Sequence, residues 1–570
     1  WLKRFLGIAF KAASSGRPKL ESSARHLIAS KFRSLWRYPD LRSDLSERAA
    51  EINNGLAWLE GWRAVRSTLY FDYREPIDTP GQRTAKTHLE HLEADLAPRD
   101  LISEIEALVV NPGHDIRLFE DEFDNSSPEK REETCLKLES RAFKYGETIG
   151  ATPALLDGFA ARLFEQNYAP YRMAFGRGLM SGSVEPRETW LMLLGALRAL
   201  DTKIFNYDVL SGALDELSKS DRPLVDRLLD EAASDNLLMP IIVGLHPYAE
   251  FSNADFDRCL NVLDGIDGHA NGFEILLWQD RFQDVEYEKS VSLAKSILRK
   301  ESGDFTLLDA MSMRLHNKPT DEDEIGEALR KLALQAAASY LAKDDLQSDG
   351  MGDYRLTQVL SHCLPYNDCD DEKIMLLDTL FDDQSGAVRD LYQYGDAVAE
   401  MAKHLIGPFL SRALLEGDMQ DYLRFRAFEG GSYSKNPLED VSPVDLVNWC
   451  RNAGDERAWA LVSNAIAPFG SCHEGGTVEL SEQAVAILRN APEPVDVLKV
   501  YIDAVSPMSC SGSRADIVAR RIVALASLDT SHLSSVEVLL TTELPRLQKF
   551  EREAREREAN RDRESEQRFE

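Results

Sequence analysis

At 570 residues the chain is too long for a single compact core, and its 43% hydrophobic and 29% charged residues exclude a disordered protein. A formal net charge of −31 makes most of its surface a poor match for phosphate backbones, and no apolar run approaches the roughly 20 residues of a membrane span. The seven cysteines are scattered and odd in number, which indicates free thiols in a cytoplasmic protein.

The first 43 residues have the opposite charge sign from the rest of the chain. They hold ten Lys/Arg residues against Glu21 and Asp40, a net charge of +8, which leaves −39 for the remaining 527 residues. The chain starts at Trp1 rather than Met, and its apolar start is too short for a signal peptide. We therefore expect the chain to be a piece of something longer, and residues 1–43 to form a basic helical arm. The arm should dock on an acidic neighbouring domain or on the chain's own acidic face, and it is the only segment from which nucleic-acid binding is expected.

Helical periodicity recurs from about residue 45 to the C-terminus. Apolar residues at the spacing of one helical face form stripes, for example Trp190, Leu193, Leu194, Leu197 and Leu200. Two short apolar runs, Ile105–Val110 and Pro240–Leu245, have the composition of strands, but neither has a convincing partner nearby. The sequence therefore predicts an all-α fold.

Helix-start signals accompany these stripes. Thr152-Pro153 and Ser442-Pro443 each place a capping hydroxyl before a proline at the first helical position. Asp321–Glu324 puts four acidic residues where the helix dipole favours them.

The periodicity divides the chain into four predicted parts. After the arm of residues 1–43 come an N-terminal helical domain (44–185), a helical-repeat region (186–546) and a charged Glu/Arg helix (547–570). In the repeat region, two helices of about 12–18 residues recur every 40–50 residues, which is typical of an α-solenoid of irregular HEAT/TPR-like helix pairs. The last segment has i, i+4 pairs such as Glu551/Arg555 but no apolar stripe, so we expect an exposed, frayed helix.

Nucleotide-binding motifs are weak or missing. The glycines of Gly176–Gly182 have the spacing G-x-G-x-x-x-G with no strand before them, which favours a tight helix–helix turn over a dinucleotide loop. The dipeptide Gly-Lys never occurs, so there is no P-loop.

Metal-binding patterns are incomplete. Asp345–Asp353 resembles a calcium loop, but its third position is Gln347 and its twelfth is Leu356 instead of a bidentate Glu. His362, Cys363 and Cys369 lack a fourth zinc ligand, and the pair His88 and His91 is not part of H-E-x-x-H.

Two further clusters have a simpler explanation than catalysis. Ser471–Glu474 gathers reactive residue types in a glycine-flanked loop, but adjacent side chains rarely face one another. Glu120–Asp124 is expected to be a solvated acidic loop. We predict no catalytic, cofactor-binding or metal-binding residues.

Several short stretches carry a family resemblance: Trp62–Asp72, Phe175–Leu179 followed by Trp190, Met311–His316, Ser511–Ile517 with Arg520-Arg521, and the Glu/Arg tail ending at Glu570. Together they resemble the C-terminal helical region of large bacterial multidomain proteins of the STAND NTPase kind. In those proteins an N-terminal effector precedes a nucleotide-binding switch domain, and C-terminal repeats sense an invader. The resemblance implies an antiphage sensor region whose NTPase and effector lie upstream, with the basic arm of residues 1–43 at the junction with that upstream domain. It transfers no functional residue, because repeat sensors use broad surfaces.

Three hypotheses about function follow. The first is a sensor that controls an upstream NTPase or effector, with self-association on activation left open. The second is a general cytoplasmic scaffold or adaptor for protein complexes. The third is an enzyme whose site is assembled from scattered residues, which requires a deep pocket with convergent titratable groups.

An acidic solenoid face with aromatic anchors suits a basic protein ligand, such as a phage DNA-handling protein, better than nucleic acid or a membrane. The candidate aromatic contacts to that ligand are Trp278, Tyr392, Tyr394 and Tyr433, which we assign to loops; for each of them, packing in the core is the alternative.

Overall fold

Helices make up 75% of the computed structural model. It describes residues 2–53, 57–73, 79–112, 128–200, 204–247, 251–277, 285–320, 325–343, 351–382, 394–416, 428, 436–470, 477–507 and 512–569. Over these residues there is no β-sheet, and extended pairing is limited to two isolated bridges, His269 with Glu301 and Phe469 with Leu480. The predicted all-α class is confirmed.

Two compact units divide the chain, one comprising residues 1–262 and the other residues 263–570. Each unit is a stack of helices with its own buried side chains. The predicted boundaries at residues 43, 185 and 546 stay predictions.

The first unit begins with five helices around one apolar core: α1 (Leu2–Ala13), α2 (Pro18–Trp36), α3 (Arg42–Asn53), α4 (Leu59–Asp72) and α5 (Pro80–Leu96). Phe10, Phe32, Trp36, Leu45 and Trp62 all belong to this core. The basic segment 1–43 is therefore a folded helical hairpin that shares its core with the helices that follow it.

The rest of the first unit alternates longer helices with short turns: α6 (Leu101–Ile105), which continues as a π-helical turn (Glu106–Val110), α7 (Pro128–Gly150), two 3-10 helices (Pro153–Gly158 and Ala160–Phe164), α8 (Arg172–Gly182), α9 (Pro186–Arg198), α10 (Asp208–Ser218), α11 (Arg222–Ala233), a 3-10 turn (Met239–Ile241) with α12 (Ile242–Leu245), and α13 (Asn253–Gly265). The stripe predicted on α9 is buried at Trp190, Leu193, Leu194 and Leu197. The two apolar runs considered as strands are helical.

Helices α7, α8 and α10 touch through their backbones. A Cβ at Gly178 of α8 would lie 1.8 Å from the carbonyl oxygen of Phe143 in α7, and one at Gly176 would lie 2.2 Å from that of Val209 in α10. The glycines of Gly176–Gly182 thus lie inside a helix, and the predicted helix–helix turn is wrong. Their missing side chains serve close helix packing, as in small-residue helix interfaces elsewhere.

A buried arginine binds carbonyl groups at and near the end of the π-helical turn. Arg172 is fully buried and donates to the carbonyl oxygens of Val110 at 2.8 Å and Glu165 at 2.6 Å. Asn167 donates to Val110 as well, at 2.9 Å, and Arg63 donates to Asn111. Carbonyls at a helix C-terminus have no partner within the helix, so these side chains supply the missing donors.

The second unit contains a 3-10 turn and thirteen further described helices: Glu274–Leu277, α14 (Tyr287–Leu298), α15 (Gly303–Leu315), α16 (Gly326–Leu341), α17 (Gly352–Cys363), α18 (Asp370–Leu380), α19 (Gly395–His404), α20 (Ile406–Leu410) with its π-helical continuation Ser411–Leu415, α21 (Pro443–Asn452), α22 (Ala458–Ala465), α23 (Glu482–Asn490), α24 (Pro494–Asp503), α25 (Arg514–Ala526) and α26 (Ser534–Phe569).

These helices stack in two rows. Helices α14, α16, α18 and α20 pack in succession, and α15, α17 and α19 form a second row against them. Successive helices in a row start 36 to 49 residues apart. This spacing agrees with the predicted helix-pair repeat, and the packing of each pair on its neighbour is solenoid-like.

Side chains bond one repeat to the next. Arg330 of α16 binds Asp368, just before α18, through two bonds of 3.0 and 2.6 Å, and its guanidinium lies 3.9 Å from the centre of the Tyr366 ring. Asp353 of α17 accepts from the backbone N–H of Ala397 at 3.0 Å and so caps α19. These bonds hold neighbouring repeats in register.

The predicted helix starts were correct where the structure describes them, but their caps were not. A 3-10 helix begins at Pro153 and α21 begins at Pro443, yet neither Thr152 nor Ser442 makes a side-chain cap bond. The acidic start at Asp321–Glu324 lies outside the described residues.

The C-terminal charged segment belongs to a longer helix, α26, which starts at Ser534. Glu558 accepts from the Ser513 hydroxyl at 2.7 Å and from the Ala515 N–H at 3.1 Å, and Arg555 pairs with Asp516 at 3.0 Å. Part of this helix therefore packs on the N-terminus of α25, where a carboxylate is favoured by the helix dipole.

Candidate recognition surface

The structure describes one of the four aromatic residues predicted to contact a ligand. Tyr394 is 3% exposed, and its ring carbon lies 3.3 Å from the position of a Cβ at Gly352. Its ring therefore packs in the interior and is not presented to a partner. Trp278, Tyr392 and Tyr433 lie outside the described residues.

Helix α18 has two opposite faces that both carry apolar side chains. Its buried face, at the spacing i, i+3, i+4, i+7, consists of Lys373, Leu376, Leu377 and Leu380. Its outer face has the same spacing and consists of Asp371, Ile374, Met375 and Asp378. Ile374 is 46% exposed and Met375 is 38% exposed. We call this outer face, together with Asp370, the α18 patch.

Carboxylates flank the apolar pair of the α18 patch on both sides along the helix. The Asp370 side chain is largely exposed and lies 3.5 Å from the Lys373 ammonium. Asp378 is half exposed and pairs at 2.5 Å with Arg412 on the π-helical continuation of α20. Two exposed apolar side chains between carboxylates match a partner that offers an apolar contact and cations able to compete for those carboxylates.

The charge of the second unit strengthens this match. Residues 263–570 hold 33 Lys/Arg and 56 Asp/Glu, a net charge of −23. A field of this sign attracts a cationic partner and repels phosphate.

The α18 patch was not predicted, although the sequence contains the pattern that indicates it. Residues 370–380 have the pattern of an amphipathic helix whose core face is formed by Leu376, Leu377 and Leu380. Ile374 and Met375 are then in excess, since a helix that packs on one side needs apolar residues on one face.

Several titratable side chains converge on Asp255 in the first unit. This carboxylate is 1% exposed and accepts from Arg222 at 2.7 and 2.6 Å, from Arg258 at 2.6 Å, and from the N–H and hydroxyl of Ser252 at 2.9 and 2.8 Å. Burial alone would raise the pKa of Asp255, but these donors hold it below its usual value. Five hydrogen bonds to one carboxylate indicate a structural hub.

His246 and Cys259 complete a triad-like arrangement with Asp255. His246 Nδ1 lies 3.7 Å from the Cys259 sulfur, and Nε2 lies 3.6 Å from Asp255. However, Nδ1 also lies 2.8 Å from the carbonyl oxygen of Ile242, and Nε2 lies 3.2 Å from Arg258. The ring therefore carries its proton on Nδ1 and accepts from Arg258, which leaves no base for the thiol. Burial also raises the pKa of Cys259, which disfavours a thiolate nucleophile.

We expect His246 to stay neutral well below the usual titration range of histidine. Burial lowers its pKa to about 4, from 6.5 in the unfolded chain. Because the unfolded chain then binds a proton that the folded chain does not, stability is greatest above pH 6.5. It should fall by roughly 3 kcal/mol as pH drops toward 4. Ring ¹⁵N NMR shifts across pH 4–8, assigned by the signal lost in His246→Gln, test this expectation. An imidazolium at pH 6 would contradict it.

The metal-ligand candidates bind protein groups instead. His362 Nδ1 lies 2.8 Å from the carbonyl oxygen of Gln358 and Nε2 lies 3.2 Å from that of Lys318. The Cys369 thiol lies 3.8 Å from the carbonyl oxygen of Cys363, and burial raises its pKa to about 11. Over the described ranges, no three His, Cys, Asp or Glu side chains converge as a metal site would require.

Other candidates have structural roles or lie outside the described residues. Asp353, the ninth position of the calcium-like loop, caps α19, while residues 345–350 of that loop lie outside the described residues. His88 packs edge-on against Trp36, with ring centres 5.6 Å apart. Ser471–Glu474 and Glu120–Asp124 also lie outside the described residues.

Comparison with known proteins does not extend these observations. No family model, curated protein or solved structure matches the chain. Within the described ranges, no helix has both the length and the apolar composition needed to cross a bilayer.

Proposed function

We propose that the chain is a non-catalytic helical-repeat recognition region that binds a basic protein ligand. The observation that carries the proposal is the α18 patch, where Ile374 and Met375 are exposed among carboxylates in a unit of net charge −23. Exposed apolar residues at the centre of a charged surface are typical of binding hot spots, and methionine adapts its shape to a partner.

The biological setting comes from the sequence resemblance to STAND-type proteins. In that setting the region is the sensor of a bacterial antiphage defence NTPase, the ligand is a phage protein, and binding controls NTPase and effector domains upstream. Stacked repeats support such a role because they combine an extended surface with bonds between neighbours. The alternative is a general scaffold or adaptor, which binds partners without controlling an enzyme.

We expect a basic phage DNA-handling protein to bind the full chain with an association rate that falls as salt rises, since opposite charges steer the encounter. Replacing the anchors, in Ile374→Ser/Met375→Ser, should weaken binding about tenfold or more because two apolar contacts are lost. Titration calorimetry of purified phage proteins against each variant, combined with stopped-flow rates at several salt concentrations, measures both effects.

The matched control is Val523→Ser/Val538→Ser, which removes two exposed apolar side chains of the same unit, 65% and 68% exposed. It should bind like the wild-type chain. If both double variants weaken ligand binding equally, the α18 patch is not the binding site. A ligand that binds the full-length protein without changing its NTP hydrolysis would favour the scaffold.

A further inference from the structure

The outer surface of α1, α2 and the turn between them carries cations without carboxylate partners. Six exposed side chains form no ion pair within the described part of the chain: Lys3, Arg4, Lys11, Arg17, Lys19 and Lys31. Residues 1–43 contain two acidic residues, and one of them, Glu21, accepts from the N–H of Gly16 at 2.5 Å. Elsewhere in the first unit, cations such as Arg177 and Arg258 bind carboxylates. We call the six cations the basic face.

Two of the cations lie opposite the core, and the others are exposed at its edges or in the turn. On α1, Arg4 and Lys11 lie on the side opposite the buried Leu6 and Phe10. On α2, Lys31 and Ser34 are exposed, while the core side of that helix is buried. Phosphate oxygens accept hydrogen bonds from ammonium, guanidinium and hydroxyl groups, so these donors suit a phosphate backbone.

Two exposed aromatic rings lie at one end of the hairpin. Tyr38 follows α2 and is 53% exposed, and Phe71 near the end of α4 is 46% exposed. The Arg33 guanidinium lies 5.0 Å from the centre of the Phe71 ring, and Arg33 and Arg37 both reach Asp72, at 2.5 and 3.9 Å. Exposed rings beside guanidinium groups are the combination on which unpaired bases stack.

We propose that the basic face, with Tyr38 and Phe71, binds single-stranded nucleic acid. The cations follow the phosphates and the rings stack on bases, which requires bases that are not already stacked in a duplex. The Arg33 guanidinium beside the exposed Phe71 ring favours nucleic acid over a lipid surface or an acidic protein, because a base can stack on this pair. This site is independent of the α18 patch, because it lies in the first unit and has the opposite charge.

The test is fluorescence anisotropy of labelled oligothymidine with the full chain across a salt series. Binding should weaken steeply with salt, since each phosphate contact releases counterions and contributes about 0.7 to the slope of log K against log salt. Duplex DNA of equal length should bind more weakly, because its bases cannot reach the rings.

Charge reversal locates the site. Lys11→Glu/Lys19→Glu/Lys31→Glu should lower affinity at least tenfold and reduce the magnitude of the salt slope by about 2, the share of three phosphate contacts. The matched control, Lys295→Glu/Lys499→Glu/Lys549→Glu, makes the same change in net charge on exposed lysines of the second unit and should have a much smaller effect. Circular dichroism checks that both variants remain folded.

A second pair of variants separates stacking from charge. Tyr38→Ala should lower affinity several-fold with the salt slope unchanged, because a ring contributes no counterion release. Tyr168→Ala removes an equally exposed tyrosine, 55% exposed, and should leave binding unchanged.

Three outcomes would overturn the proposal. The first is no binding of oligothymidine even at low salt. The second is equal loss of binding in the two lysine triples, which would indicate a general charge effect. The third is binding to anionic phosphatidylglycerol vesicles or to a polyglutamate peptide without binding to oligothymidine, which would assign the basic face to a membrane or to an acidic protein.

Discussion

Replacing Gly178 by alanine should destabilise the α7–α8–α10 stack by about 3 kcal/mol or more. The new Cβ would lie 1.8 Å from the Phe143 carbonyl oxygen, which belongs to the backbone of α7 and cannot rotate away as a side chain would. The two helices must separate, and they then lose the apolar contacts on either side of the glycines. Urea unfolding, with hydrogen exchange of the amides in α7 and α8 as a local probe, measures the loss.

The same substitution at Gly195 provides the control. Gly195 lies inside α9, and a Cβ there would meet no atom within 4 Å. Alanine should stabilise this helix by about 0.5–1 kcal/mol, because glycine loses more backbone entropy on folding. Changes of opposite sign in the free energy of unfolding at the two positions would distinguish the effect of packing from that of helix propensity. A neutral Gly178→Ala would mean that the helices have room to move apart.

Removing the charge of Asp255 should destabilise the end of the first unit by about 3–5 kcal/mol. In Asp255→Asn, Arg222 and Arg258 lose the buried carboxylate that both bind, and a buried cation without its partner is costly. Hydrogen exchange of the amides in α11 and in the part of α13 up to residue 262 should speed up accordingly, since these helices are held by the two arginines.

Asp257→Asn is the matched control, because it makes the same change on the exposed side of the same helix. Its effect should be about 1 kcal/mol or less, because a solvent-exposed carboxylate interacts weakly with its neighbours. If the two variants behave alike, Asp255 is not the hub of the network.

Local patterns predicted the features that depend on one helix at a time. The stripe from Trp190 to Leu197 fixes both the helix and its buried face, because a 3.6-residue period has no other interpretation at that length. The repeat spacing followed from the same patterns. Start positions at Pro153 and Pro443 were correct because proline restricts its own backbone.

Features that depend on two distant segments were not predictable. Gly178 was assigned to a turn because several glycines lie close together there and glycine favours turns, and its role in packing depends on the position of α7 against α8. The ligands of Asp255 come from α11 and α13, 33 residues apart for Arg222, and no spacing rule connects them. Tyr394 was a candidate contact because we assigned it to a loop; the alternative, packing in the core, is correct, and its ring lies next to Gly352.

The bonds between repeats make the second unit a chain of nearest-neighbour couplings. Helix α18 is tied to α16 through Arg330–Asp368, next to its first turn, and to the end of α20 through Arg412–Asp378. A partner that competes for Asp378 would release Arg412 and loosen one coupling while leaving the other intact. Binding of a partner at α18 would therefore first weaken the contact with α20, on the C-terminal side, while the contact with α16 persists.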